Sequence, residues 1–242
     1  SKQVNNSSCN PTTPYTNTHS HQHPHTHTPT AKNMAMNNVR VALVQGGTRG
    51  IGLQFVKRLA AQPQVEKVFA TGRSALDPQC ALNTDPTLKD KVVPVAVDLA
   101  SESSIQQACG HIQDSSDRLH FVLNASGFLH RHEQGVGPER KLDQVCEGLL
   151  EENFRVNAYA PILWAKHLSS LLKHKDPAVF ASISARVGSI SDNRMGGWYS
   201  YRCVAVRKGH ERGLAYDGWD GALPCSAVQC SLPSCNRCNL GC

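Results

Sequence analysis

Apolar residues in the central part of the chain fall into short runs closed by glycine or small polar residues, and the runs are separated by stretches with helical spacing. Val41-Ala42-Leu43-Val44 fits a buried strand. It leads into Gln45-Gly46-Gly47-Thr48-Arg49-Gly50-Ile51-Gly52, after which Leu53, Phe55, Val56, Leu59 and Ala60 recur as the apolar face of a helix. Further strand-like runs lie at Val68-Phe69-Ala70-Thr71, at residues 92–97 and at residues 120–123, with a fifth ahead of Ile183. Helices are predicted over residues 101–116, with Ser101 as N-cap, and over residues 149–173, where Ala158, Ile162, Leu163 and Ala165 form the apolar face. Strands alternating with helices predict an α/β fold whose parallel sheet is covered on both faces.

The strand ends carry the candidate chemistry. Gly46 suits a tight turn, Gly50 lets backbone N–H groups approach a pyrophosphate, and Gly52 permits close helix packing. The start of the following helix adds partial positive charge. Such a glycine cluster alone also fits an ordinary strand-to-helix turn, so the later strand ends matter. The second strand ends in Gly72-Arg73 with no carboxylate for a ribose 2′-hydroxyl. Arg49 and Arg73 suit a 2′-phosphate instead, which favours NADP over NAD as cofactor. Asp98-Leu99 closes the third strand, where Asp98 is placed to accept from an adenine amino group or simply to face solvent. Asn124-Ala125-Ser126-Gly127 closes the fourth with residues small enough for a flat ring to approach the backbone.

Taken in order, these motifs resemble the short-chain dehydrogenase/reductase family. Residues 45–52 match its TGxxxGxG turn, with Gln45 in place of threonine, and residues 124–127 match its NNAG turn. Asn157, Ser184 in Ile183-Ser184-Ala185-Arg186-Val187-Gly188-Ser189, and Tyr201 follow at the family's spacing. The stretch from Ser184 to Tyr201 looks most like the C-factor or sniffer-type carbonyl reductase branch. The resemblance implies a Rossmann-type doubly wound parallel sheet and hydride transfer between nicotinamide and a carbonyl or hydroxyl group. It further implies Tyr201 as general acid, Ser184 as hydrogen-bond donor to the same substrate oxygen, with Ser189 as alternative, and Asn157 as holder of a relay water. Cofactor contacts are implied at Gly46, Thr48, Arg49, Gly50, Ile51, Gly52, Arg73, Asp98, Leu99, Asn124, Ala125, Ser126 and Gly127.

One position departs from the pattern with chemical consequences. The family has a lysine four residues after the tyrosine, and here that residue is Ala205. A free phenol titrates near ~10 and is a poor proton shuttle at neutral pH. A cation one helical turn away lowers that value, and alanine supplies none. Lys208 stands two turns from Tyr201, roughly 10 Å along a helix, and Gly209 and Gly213 argue against a long helix there. The leading reading is therefore an NADP-dependent oxidoreductase of carbonyl or hydroxyl groups, its competence in doubt because Ala205 stands at the lysine position. The alternatives are a dinucleotide-binding or signalling protein without turnover, or an unstable fragment of a longer reductase.

Both ends differ in character from the centre. Residues 1–38 are rich in Thr, Asn, Pro and His, with His19, His21, His23, His25 and His27 alternating, and read as a disordered arm. Untranslated sequence ahead of Met34 or Met36, loose imidazole binding of a metal, and organellar import remain alternative readings of it, with the cytoplasm the expected location. The reductase-like domain is expected over residues 39–202, the sheet ending after the fifth strand and the start of the catalytic helix. Residues 203–242 hold six of the ten cysteines and read as foreign to the fold, from a shifted reading frame or retained intron. Cys235-Asn236-Arg237-Cys238 has metal-knuckle spacing, but zinc ribbons pair two such knuckles, and no metal is expected.

Charge narrows the partners. The net charge of +6 is confined to residues 1–65, which hold Lys2, Lys32, Arg40, Arg49, Lys57 and Arg58 and no acid. That suits an anionic dinucleotide better than a nucleic-acid face, and with 6% aromatic residues there is little for bases to stack on. No apolar run is long enough to span a membrane. The expected partner is a small carbonyl or alcohol substrate. Homo-oligomerisation is doubtful because the helix that family members use for it is cut short.

Overall fold

The computed structural model describes residues 38–130, 137–189, 196–210 and 228–231. The chain divides into two units, Ser1–Ala31 and Lys32–Cys242, and all described residues belong to the second. The expectations for residues 1–37, and for most of residues 211–242, lie outside the described residues.

The order is β1 (Val41–Gln45), α1 (Gly50–Ala60), β2 (Lys67–Gly72), α2 (Ala81–Thr84), β3 (Val92–Ala96), α3 (Glu102–Ser115), β4 (Phe121–Asn124), α4 (Glu147–Phe154), α5 (Ala160–Leu172), β5 (Val179–Ser184), α6 (Tyr199–His210) and β6 (Val228–Ser231). The strands pair in the order β3-β2-β1-β4-β5-β6, every pair parallel. This is the doubly wound arrangement expected from the alternation of elements.

Side-chain parity explains the two layers. Val41 and Leu43 of β1 join Phe69, Val95 and Val122 beneath Ile105 and Ile112 of α3 and Trp164 and Leu168 of α5. Ala42 and Val44 join Val68, Ala70 and Leu123 on the opposite face, against Val56 and Leu59 of α1. Successive strand residues point to opposite faces, so a buried parallel strand reads as a nearly continuous apolar run, as Val41 to Val44 of β1 do.

Three features go beyond the sequence reading. Residues 149–173 are not one regular α-helix: α4 and α5 are joined by a π-helical turn, Arg155–Tyr159. Pro161 has no N–H to offer the carbonyl of Asn157, which disfavours the regular α ladder there. α6 runs past Arg202 to His210, through Gly209. A sixth strand, β6, adds to the edge of β5, pairing Ala181 with Val228 and Ser184 with Ser231.

Candidate dinucleotide site and catalytic residues

Because all strands are parallel, every strand end singled out in the sequence lies along one edge of the sheet. β1 and β4 are neighbours there, and the chain winds away from them in opposite directions, to β2 on one side and β5 on the other. A crevice at such a switch point is the usual ligand position in open α/β sheets. The glycines at this edge are required by contact. Gly46 has φ +81°, and a Cβ on it would meet the Ser126 nitrogen at 2.8 Å. A Cβ on Gly52 would fall 2.0 Å from the Gly46 carbonyl oxygen, and one on Gly72 would fall 2.7 Å from Thr48 Cγ2. The turn is pinned by the Gly46 and Gly47 N–H groups, both donating to the Thr71 carbonyl at 3.0 and 2.9 Å. Gly50, at φ +54°, faces open space.

α1 begins at this turn without an acidic residue in its first turn and without a side-chain cap. Its first N–H groups therefore remain open to an anion, while Lys57 and Arg58 complement the dipole at the other end. Arg49 and Arg73 are both exposed at this edge, and neither side chain makes a hydrogen bond or ion pair among the described residues. Ile51 is 47% exposed beside them, a large apolar side chain left in solvent at the mouth of the turn.

The remaining expected cofactor positions are less open. Asp98 is exposed, and its carboxylate already accepts the Ala100 N–H at 3.0 Å while its own N–H donates to Ser104 Oγ. Leu99 packs partly buried against the α3 face of the core. Asn124 is buried and donates to Ser182 Oγ at 3.4 Å, and the Ala125 N–H donates to the Gln45 carbonyl. Gln45, the residue in the threonine position, is itself buried and accepts a hydrogen bond from Ser126 Oγ.

Tyr201, Ser184 and Asn157 lie on elements that meet at the same edge: α6 packs against β5, α4 and the π-helical turn. Ser184 ends β5 and is buried. Asn157 is wholly buried. Its Oδ1 accepts the Phe128 N–H at 2.9 Å, and its Nδ2 donates to the Phe128 carbonyl and to Asn153 Oδ1. Asn157 thus ties the loop after β4 to the π turn, beside Gly127, whose added Cβ would lie 3.6 Å from Asn157 Oδ1.

Burial pushes the Tyr201 phenol above its ordinary value, the opposite of what a proton donor at neutral pH needs. Ala205 is buried one turn further along α6, where a Cβ on Gly188 would come within 2.5 Å of its carbonyl carbon. The 3-10 turn Arg186–Gly188 therefore lies directly on α6, with no cation at residue 205.

The sequence reading passed over Glu139, Trp198, Ser200 and Arg202. Glu139 and Ser200 are buried and hydrogen-bonded to each other, and Trp198 has a left-handed backbone at φ +56°. Arg202 donates to the carbonyls of Val187, Gly196 and Gly197, clamping the segment that enters α6. No local pattern marks the pairing of Glu139 with Ser200, because the two lie 61 positions apart in the chain.

These features define a doubly wound parallel α/β protein with a glycine-lined crevice at its switch point. A model of the short chain dehydrogenase family matches residues 40–202, and the chain belongs to that family. Human polyprenol dehydrogenase is 31% identical over 152 residues, covering 63% of this chain and 42% of that protein. An uncharacterized oxidoreductase of Schizosaccharomyces pombe is 26% identical over 170 residues, covering 69% of this chain and 62% of that one. The chain thus spans about half the length of these curated relatives. Among solved structures, NADPH-bound carbonyl reductase from chicken fatty liver superposes with a TM-score of 0.64 at 25% identity, covering 79% of this chain and 78% of that one. The putative carbonyl reductase Sniffer of Caenorhabditis elegans superposes at 0.65 with 22% identity, covering 80% and 85%, a likeness of fold. Among the described residues no helix is long and apolar enough to cross a membrane.

Proposed function

We propose that the chain binds NADP at the β1–β4 crevice and carries the site of a carbonyl or alcohol oxidoreductase. The observation that carries this is the glycine turn: a side chain at Gly52 would strike the Gly46 carbonyl, one at Gly46 would strike the Ser126 backbone, and the first turn of α1 is left uncapped. The residues fit a dinucleotide, with the N–H groups at residues 50–52 for the pyrophosphate and Asn124 to Gly127 beside the ring. Arg49 and Arg73, exposed and with side chains unpartnered among the described residues, suit a 2′-phosphate and favour NADP over NAD. The NADPH named for the chicken carbonyl reductase agrees with this choice.

Bound there, the nicotinamide supplies the hydride. Tyr201 gives its phenolic proton to the substrate oxygen, Ser184 donates a hydrogen bond to that oxygen, and Asn157 holds a water through the carbonyl that Pro161 leaves without its usual donor. With Ala205 in place of lysine and the phenol raised by burial, the proton step is slow at neutral pH. That same observation favours a second reading, in which the chain binds the dinucleotide without turnover.

Fluorescence titration with NADPH, with NADH as control and a thermal melt alongside, tests the binding. Saturable binding that is tighter for NADPH supports it, and a cooperative melt without binding removes it. Ala205→Lys then separates the two readings. Turnover of a carbonyl substrate gained by this variant supports a reductase site that lost its cation, and bound NADPH without turnover supports the binding protein.

A further inference from the structure

α6 begins without the means to cap itself. Trp198 stands at its N-cap position, and its carbonyl accepts the first helical bond from the Arg202 N–H at 2.8 Å. An N-cap residue normally has an extended backbone and a side-chain oxygen, and Trp198 has neither. Its φ of +56° continues that of Gly196 (φ +62°) and Gly197 (φ +69°), a left-handed run that is unfavourable for a side chain as large as indole. Such a conformation persists only where its surroundings hold it.

Glu139, from the segment after β4, does the holding. Its carbonyl accepts the Trp198 N–H at 2.6 Å, and its carboxylate accepts the Ser200 hydroxyl. A Cβ on Gly197 would lie 3.1 Å from the same carbonyl, so the two backbones are in close contact. Glu139 and Ser200 are 3% and 0% exposed, and a carboxylate so placed gains from the positive end of the helix that it touches. The residues it holds adjoin Tyr201: Ser200 precedes it, and the Trp198 ring meets the Tyr201 ring edge-on with centroids 6.4 Å apart.

We propose that Glu139 is a positioning residue for Tyr201, capping α6 from a distant segment and so fixing the Trp198 ring against the phenol. The role of the phenol itself rests on the reductase reading, but its placement is measurable without cofactor or turnover. In the full chain, the near-ultraviolet absorbance of phenolate is titrated, and the difference from Tyr201→Phe isolates one of the five tyrosines. The wild-type phenol titrates above the ordinary ~10. Glu139→Ala lets the first turn of α6 loosen and solvate the phenol, shifting its titration to lower pH, towards that of an exposed tyrosine. Glu139→Gln retains an oxygen for Ser200 and titrates as wild type, and Ser200→Ala shifts in the same direction as Glu139→Ala. Unshifted titration in both alanine variants overturns the proposal, as does a glutamine variant displaced as far as alanine. Should Glu139→Ala fail to fold, Ser200→Ala and Glu139→Gln decide. A protein that fails to bind NADPH but passes this titration loses the reductase reading while keeping the positioning role.

Discussion

Ser126 and Gln45 are hydrogen-bonded across the carboxyl ends of β4 and β1, with Ser126 Oγ donating to Gln45 Oε1 at 2.8 Å. The same hydroxyl lies 3.2 Å from Asn124 Oδ1, so one serine joins the residue in the family's threonine position to the turn after β4. Gln45 is 2% exposed, and its Nε2 has no hydrogen-bond partner among the described residues. Ser126→Ala would strand the other end of that amide as well. A buried polar group left unpaired costs about 1–3 kcal/mol, so urea denaturation should show a loss in that range. Weaker NADPH binding should accompany it, because the turn beside Gly46 loosens.

Gly46 and Gly50 both have positive φ but differ in surroundings, which separates strain from collision. Gly50→Ala adds a side chain in open space and should cost only the left-handed backbone, about 1–2 kcal/mol. Gly46→Ala adds that strain and a collision with the Ser126 backbone. It should abolish NADPH binding and lower the melting temperature well beyond Gly50→Ala, as a thermal melt and fluorescence titration of the two variants would reveal.

The buried Asn157 side chain makes three hydrogen bonds, two of them to the Phe128 backbone. Asn157→Ala leaves the Phe128 N–H and carbonyl without these partners, a loss of more than about 2 kcal/mol by chemical denaturation. Hydrogen exchange should rise at Phe128 and through the π-helical turn while the β1–β2 pair stays protected. A purely solvent-facing asparagine would give neither result.

His120 lies at the opposite end of the sheet, where its Nδ1 accepts the Val41 N–H at 3.3 Å. Burial holds its pKa below the ordinary 6.5, aided by His174 and Arg118 and opposed by Asp176. The folded state therefore favours the neutral ring, and as pH falls through 6.5 the unfolded chain takes up the proton first. Stability is full above that value and falls below it, with a slope from this group of at most about 1.4 kcal/mol per pH unit. Urea midpoints between about pH 5 and 7.5 should carry this slope in the wild type, and His120→Gln should flatten it.

The strands and the glycine turn were legible because their signals are local. An apolar run such as Val41 to Val44 fixes a buried strand by itself, and the collision that makes Gly52 a glycine involves residues only a few positions away. The long helix was legible in extent but not in form, since Pro161 could equally end, kink or bulge it. Ser101 was found as the cap of α3 because its partner is Ser104, three residues on. Glu139 was not found as the support of α6, because its partner is Ser200, on a segment brought near by folding.

By itself the sequence determined the family, the parallel α/β order and the missing cation at Ala205, since each follows from residue type at a fixed spacing. Only the tertiary structure decided that β6 extends the sheet, that Gln45 is bonded to Ser126, that Asn157 is buried, and that Glu139 and Arg202 hold the start of α6. These are contacts between residues distant along the chain. Their energies depend on burial and on the direction of donor and acceptor, which no local pattern encodes.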